Sequence, residues 1–213
     1  GIAGISDDGQ TLCFAVTLWN GADPILKERL FGLTGNEGNH GEDVKECYFH
    51  LDNLPSHAYM KYLYKYPQQA FPYAELRAEN ARRSRHDPEY ELLDTGIFDA
   101  NRYFDVFIEY AKAGPNDVLV RISAANRGPD AATLHLLPTL WFRNDWSWKP
   151  DRPRPRIAPA PQRANVLETT HRRLETFWLH FDPPQDVLFT DNDSNAARLW
   201  GRPSAGFAKD GFD

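Results

Sequence analysis

Between residues 103 and 142, apolar and polar side chains alternate in three successive runs, and a period of two admits little besides β-strands. Phe104, Val106, Ile108 and Tyr110 share one face of the first run, with Asp105, Phe107 and Glu109 on the other. Val118, Val120, Ile122 and Ala124 repeat the pattern after a Gly-Pro turn, alternating with Leu119, Arg121 and Ser123. A second turn, NRGPD, precedes residues 133–142, where Leu134, Leu136 and Leu140 are expected to face inward. Long strands joined by tight turns, each with one apolar face, predict an antiparallel meander.

The flanking sequence extends this reading. Residues 2–5, 11–19, 44–52 and 57–66 read as strands bounded by Gly, Asp, Asn or Pro. Residues 90–98, 166–170 and 175–181 read likewise. Residues 73–85 form the one clear helix, with Pro72 suited to its first turn and little apolar face beyond Tyr73, Leu76 and Ala81. Asp193 or Ser194 is placed to cap a short helix ending near Gly201. Eight to ten strands with one or two short helices predict an all-β fold, an antiparallel β-sandwich of large sheets. Five prolines in residues 149–162 make 149–163 an extended connector within a single domain spanning 1–213. Two smaller β domains hinged at 149–162 are the alternative.

Composition excludes several function classes. A formal charge of −6 disfavours a nucleic-acid partner. No apolar run approaches the roughly 18 residues of a membrane helix, so no membrane partner is expected. Two cysteines, Cys13 and Cys47, make neither a disulfide framework nor a zinc pattern; both are expected as buried free thiols, which fits a cytoplasmic protein. The chain opens on Gly1 inside a strand-like run and closes without a stop signal, so it reads as a fragment of a longer protein.

The candidates for chemistry are few. No nucleophile elbow, phosphate loop or dinucleotide fingerprint is present, and no cofactor or metal ligand set is specified. Asp191-Asn192-Asp193-Ser194-Asn195 imitates the start of a calcium loop, but Ala196 and Arg202 stand where such a loop needs Gly and Glu. The glycine-rich stretch 32–41 leads into a polar group, His40, Glu42, Asp43 and Glu46. Neighbouring Glu42 and Asp43 point oppositely on a strand and cannot flank one bond. The most informative patch is residues 141–148, WFRNDWSW, with three Trp in eight residues as a strand gives way to a loop. Aromatic faces of this kind stack on sugars or bury at interfaces, while Arg and Asn bond hydroxyls; Trp141 in the core with Trp146 and Trp148 covering the sandwich end is the alternative. Asn39, His40, Glu42, Arg143, Asn144, Trp146 and Trp148 are therefore the candidate ligand-site residues, and no catalytic residue is assigned.

Six stretches carry a family resemblance: GLTGNEGNHGEDVKE (32–46), HAYMKYLYKYPQ (57–68), DPEYELLDTGIFD (87–99), RYFDVFIEYAKA (102–113), LHLLPTLWFRNDWSW (134–148) and the end of FTDNDSNAARLWG (189–201). In this order they resemble the N-terminal region of bacterial proteins similar to glycoside hydrolase family 63, the processing α-glucosidase (mannosyl-oligosaccharide glucosidase) family. The resemblance implies a β super-sandwich of the galactose-mutarotase or glucoamylase N-domain kind. It implies a parent protein that is an inverting exo-glycosidase whose two catalytic carboxylates lie on a C-terminal (α/α)6 barrel absent from these residues. The expected role is a non-catalytic domain that supports that barrel and lends loops to its sugar pocket, with an oligosaccharide or glucoside as ligand. A freestanding carbohydrate-binding module and a purely structural or interaction domain are the rival readings.

Overall fold

The structure, a computed structural model, describes residues 2–24, 47–148, 151–203 and 206–209. The candidate residues Asn39, His40 and Glu42 lie outside the described residues. The chain is all-β and antiparallel in character. The strands are β1 (Ile2–Ser6), β2 (Leu12–Trp19), β3 (Tyr48–Asn53), β4 (Tyr59–Pro67), β5 (Tyr103–Gly114), β6 (Asp117–Asn126), β7 (His135–Phe142), β8 (Arg156–Pro159), β9 (Val166–Thr170) and β10 (Trp178–His180). Two short helices, α1 (Tyr73–Arg82) and α2 (Ala196–Trp200), interrupt them. The sheets have the orders β1-β2-β7, β3-β4-β5-β6 and β10-β9-β8. The chain divides into two compact units, one of Gly1–Gly4 with Ala15–Thr139 and one of Ile5–Phe14 with Leu140–Asp213.

In the first unit, the sheet β3-β4-β5-β6 follows directly from the alternation in the sequence. Tyr62, Tyr64 and Tyr66 of β4 lie opposite Ile108, Val106 and Phe104 of β5, and Ile122 and Ala124 of β6 continue two of those rows. Tyr64, Val106 and Ile108 are fully buried, as are Ile2, Val16 and Leu18. Each large apolar side chain removed from water contributes roughly 1.5–3 kcal/mol. The Tyr110 hydroxyl donates to the Ala3 carbonyl, so the phenol row reaches backbone of a second sheet. A satellite core of Phe71, Tyr73, Leu76, Leu92 and Ile97 packs under α1. Asn80 clamps the chain that follows: its amide donates to the Tyr90 carbonyl at 3.0 Å and its carbonyl accepts from the Tyr90 N–H at 2.8 Å.

Several expectations are corrected here. The expected strand 90–98 is a 3-10 turn over Leu92–Thr95, closed by a reciprocal box between Glu91 and Asp94 and by Gly96 at φ 69°. Acid-to-backbone bonds and a left-handed glycine outweigh the β propensity of the segment. Helix α1 stops at Arg82, because Arg83 is already extended. Leu136 is exposed rather than inward. It sits on β7, an edge strand that also tolerates Pro138, which has no N–H to give. Cys13 and Cys47 are not joined in a disulfide and are only half-buried.

In the second unit, the proline-rich stretch yields β8, an edge strand whose register with β9 runs from Arg156 opposite Thr170 to Pro159 opposite Leu167. The expected strand 175–181 is reduced to Trp178–His180. Helix α2 is capped by Asn195, one residue beyond the expected position, and ends on Gly201 at φ 62°. Among the described residues no helix is long and apolar enough to cross a membrane.

Candidate functional site

The aromatic turn begins where β7 ends, in the second unit. The Arg143 N–H donates to the Thr11 carbonyl at 2.9 Å, which fixes the exit of the strand. Asn144 then organises the turn. Its carbonyl accepts from the Ser147 N–H at 3.1 Å, and its amide donates to the Asn192 carbonyl at 3.0 Å and to Asp193 Oδ1 at 3.3 Å. Asn192 returns the contact by donating to the Phe142 carbonyl at 2.6 Å. Asp145 pairs with Arg152, and Arg154 stands 3.7 Å from Asp193. The DNDSN run is thus a structural brace for the tryptophan turn.

The turn sorts its two loop tryptophans. Trp146 is 7% exposed, and its Nε1–H has no hydrogen-bond partner among the described residues. Trp148 is 84% exposed. Of the four candidates in this turn, Arg143 and Trp148 face solvent, whereas Asn144 is half-buried with both ends of its amide engaged. Trp141 is half-buried. The floor of the turn is firm: His171 stacks on Phe142 with ring centroids 5.3 Å apart. Burial, followed by the Arg172 charge, moves the His171 pKa below the ordinary imidazole value. Burial and then the Asp7 carboxylate push the Cys13 thiol up, which leaves it a poor nucleophile.

The second unit carries further exposed aromatics that the strand patterns did not single out. Trp178, Phe189, Trp200 and Phe207 are all exposed. Trp200 belongs to α2, which buries no side chain. The ends of the loop carrying α2 are tied together, with Asp191 N–H donating to the Phe207 carbonyl at 2.8 Å and Lys209 N–H to the Asp193 carbonyl at 2.9 Å. A five-residue helix whose large side chains face outward gives a weak periodic signal, so its end residues, a polar cap and Gly201, are what mark it in the sequence.

In the first unit, ionised groups gather on the outer face of the four-stranded sheet. Lys61, Glu109 and Arg121 lie in one cross-strand row, with Lys61 Nζ 3.6 Å and Arg121 Nη2 2.8 Å from the carboxylate. Asp105 receives Lys65 at 2.7 Å and Arg127 at 2.7 Å. Burial alone would raise the Asp105 pKa, but the bonds from Lys65 and Arg127 more than offset it and hold the carboxyl below its usual range. The Tyr59 hydroxyl, then Arg121, do the same for Glu109. These two acids stand four residues apart on one strand, about 13 Å by strand rise. That exceeds the roughly 6.5–9.5 Å between an inverting acid and base. Their pairing stabilises the carboxylate form, the opposite of what a proton donor requires.

Comparison with known proteins gives one curated relative, an uncharacterized protein of Saccharomyces cerevisiae, YMR196W. It is 41% identical over 249 aligned residues, which include the whole of this chain and 23% of the yeast protein. The chain therefore spans about a quarter of the length of the relative it matches. No family model matches the chain. No solved structure matches it either.

Proposed function

We propose that this chain is a non-catalytic β domain of a glucosidase-like glycoside hydrolase, and that it supports a catalytic barrel and contributes to the rim of the sugar pocket. The observation that carries the reading is the braced turn that holds Trp148 out at 84% exposure and also carries solvent-facing Arg143. A flat ring offers CH-stacking to a pyranose, and an exposed guanidinium on the same turn bonds hydroxyls. The family 63-like motifs spread along the chain support the glucosidase class, and the end-to-end match to a quarter of a longer relative supports a domain role. Two cysteines not joined in a disulfide support a reducing, cytoplasmic setting.

Hydrolysis needs a proton donor and a water-activating base on opposite sides of the glycosidic oxygen. This domain's part is to position the sugar and shield it from water. Purified chain incubated with aryl α-glucosides is expected to give no turnover. Hydrolysis that disappears on changing one carboxylate of this chain would overturn the reading.

Trp148 also favours a second reading, a freestanding carbohydrate-binding module. Saturable oligosaccharide binding by the chain alone, lost in Trp148→Ala, would select it. The exposed Trp178, Phe189, Trp200 and Phe207 favour a third, a structural domain whose aromatics pack on other parts of a longer protein. Flat sugar titrations would select that one.

A further inference from the structure

The two edges of the sheet β3-β4-β5-β6 are unlike. Strand β3 is interrupted by a register shift between His50 and Asp52. Strand β6 keeps an unbroken register with β5 from Val118 to Asn126, and among the described residues it pairs with β5 alone. Proteins usually blunt an edge with a bulge, a proline or charges. Residues 118–126 contain no proline and one charge, Arg121. Val118, Leu119 and Val120 are 37%, 62% and 36% exposed, so apolar side chains stand open on both faces of the edge.

The sequence of that edge is self-complementary. In Asp117-Val118-Leu119-Val120-Arg121, a valine flanks Leu119 on each side, with an acid at one end and a base at the other. Alternation puts Asp117, Leu119 and Arg121 on one face and the two valines on the other. We propose that β6 pairs with β6 of a second copy of this chain, antiparallel, about a two-fold axis through Leu119. In that register each Asp117 stands opposite Arg121 of the second copy, each Val118 opposite a Val120, and Leu119 opposite itself. Moving the axis to Val120 sets Leu119 against Arg121, and moving it to Arg121 sets two like charges directly opposite each other, which is destabilising. Arg121 holds Glu109 through Nε at 3.0 Å and Nη2 at 2.8 Å. A guanidinium has five N–H donors, so a second carboxylate finds donors left. The contact is short and each chain carries −6, so the dimer is weak and concentration-dependent. This inference stands independently of the glycosidase-like reading.

The test uses the whole 213-residue chain. Sedimentation over a dilution series is expected to show reversible dimers. Leu119→Cys is expected to link two copies under mild oxidation, since directly opposed residues have Cα atoms about 4.5–5.5 Å apart, within disulfide reach. Val118→Cys faces Val120 and is expected not to link at position 118; peptide mapping separates both from Cys13 and Cys47. Asp117→Arg and Arg121→Asp are each expected to weaken dimerisation by about tenfold, and mixing the two variants restores it by re-pairing opposite charges. A chain that stays monomeric at every concentration, equal linkage at 118 and 119, or charge variants that fail to rescue each other would overturn the proposal. The cysteine pair decides the matter alone if Arg121→Asp does not fold.

Discussion

The side-chain amide of Asn20 donates to the Pro67 carbonyl at 2.7 Å across 47 residues of sequence. The same amide reaches the Gln69 carbonyl at 3.0 Å, while its oxygen accepts from the N–H groups of Ala22 and Asp23. One buried residue thus ties the end of β2 to the end of β4, with Gly21 at φ 79° letting the chain turn between them. Asn20→Ala strips partners from two carbonyls and two N–H groups. Its expected cost is about 2–4 kcal/mol, read as a lower urea midpoint. Asn20→Asp keeps the acceptor and loses both donations, so it recovers only part of the loss.

Acid should weaken the first unit through Asp105. Its pKa is depressed in the folded state, so its contribution is present above the unfolded carboxyl value of about 3.9 and is lost as pH falls through the folded value. Urea midpoints measured between pH 6 and pH 2 should drop across and below that region. Asp105→Asn should flatten this part of the profile, because Lys65 and Arg127 then face a group that does not ionise.

The two loop tryptophans should separate stability from recognition. Trp146→Ala opens a buried cavity and is expected to cost about 3–5 kcal/mol. Trp146→Phe keeps an aromatic ring and removes the unpartnered N–H, so its cost should be about 1 kcal/mol. Trp148→Ala should lie within about 0.5 kcal/mol of the parent by thermal unfolding. Any oligosaccharide binding by the turn should vanish in that variant.

Gly206 should not accept a side chain. At φ 79° a Cβ would meet Asp191 Oδ2, the atom that receives the Phe207 N–H at 3.0 Å. Gly206→Ala is therefore expected to part residues 191 and 207 and to speed proteolysis within 191–209, with the first unit unaffected.

Where periodicity was regular and burial one-sided, sequence and structure agree. Phe104, Val106, Ile108 and Tyr110 are buried together, opposite Asp105, Phe107 and Glu109 on the outer face. The same reasoning misplaced Leu136, because an edge strand leaves apolar positions open that a central strand would cover. It made residues 90–98 a strand because Tyr, Leu, Ile and Phe fit a pleat; the Glu91 and Asp94 box with Gly96 was the signal to weigh instead. At the aromatic turn, the clustering of Arg143, Asn144, Trp146 and Trp148 was legible. Which of them faces solvent was not, since that depends on Asn192 and Asp193, nearly fifty residues later. The partners of Asp105 were hidden for the same reason: Lys65 and Arg127 arrive from adjacent strands.

Lys61 and Lys65 each lie over a ring as well as beside an acid, Phe107 at 5.5 Å and Tyr103 at 4.5 Å. Both lysine heads therefore already serve two neighbours, so an incoming molecule would have to dislodge an existing contact before pairing with either. The lysine-bearing part of the sheet is for that reason closed to recognition, and visitors are left to the aromatic turn and the bare strand margin.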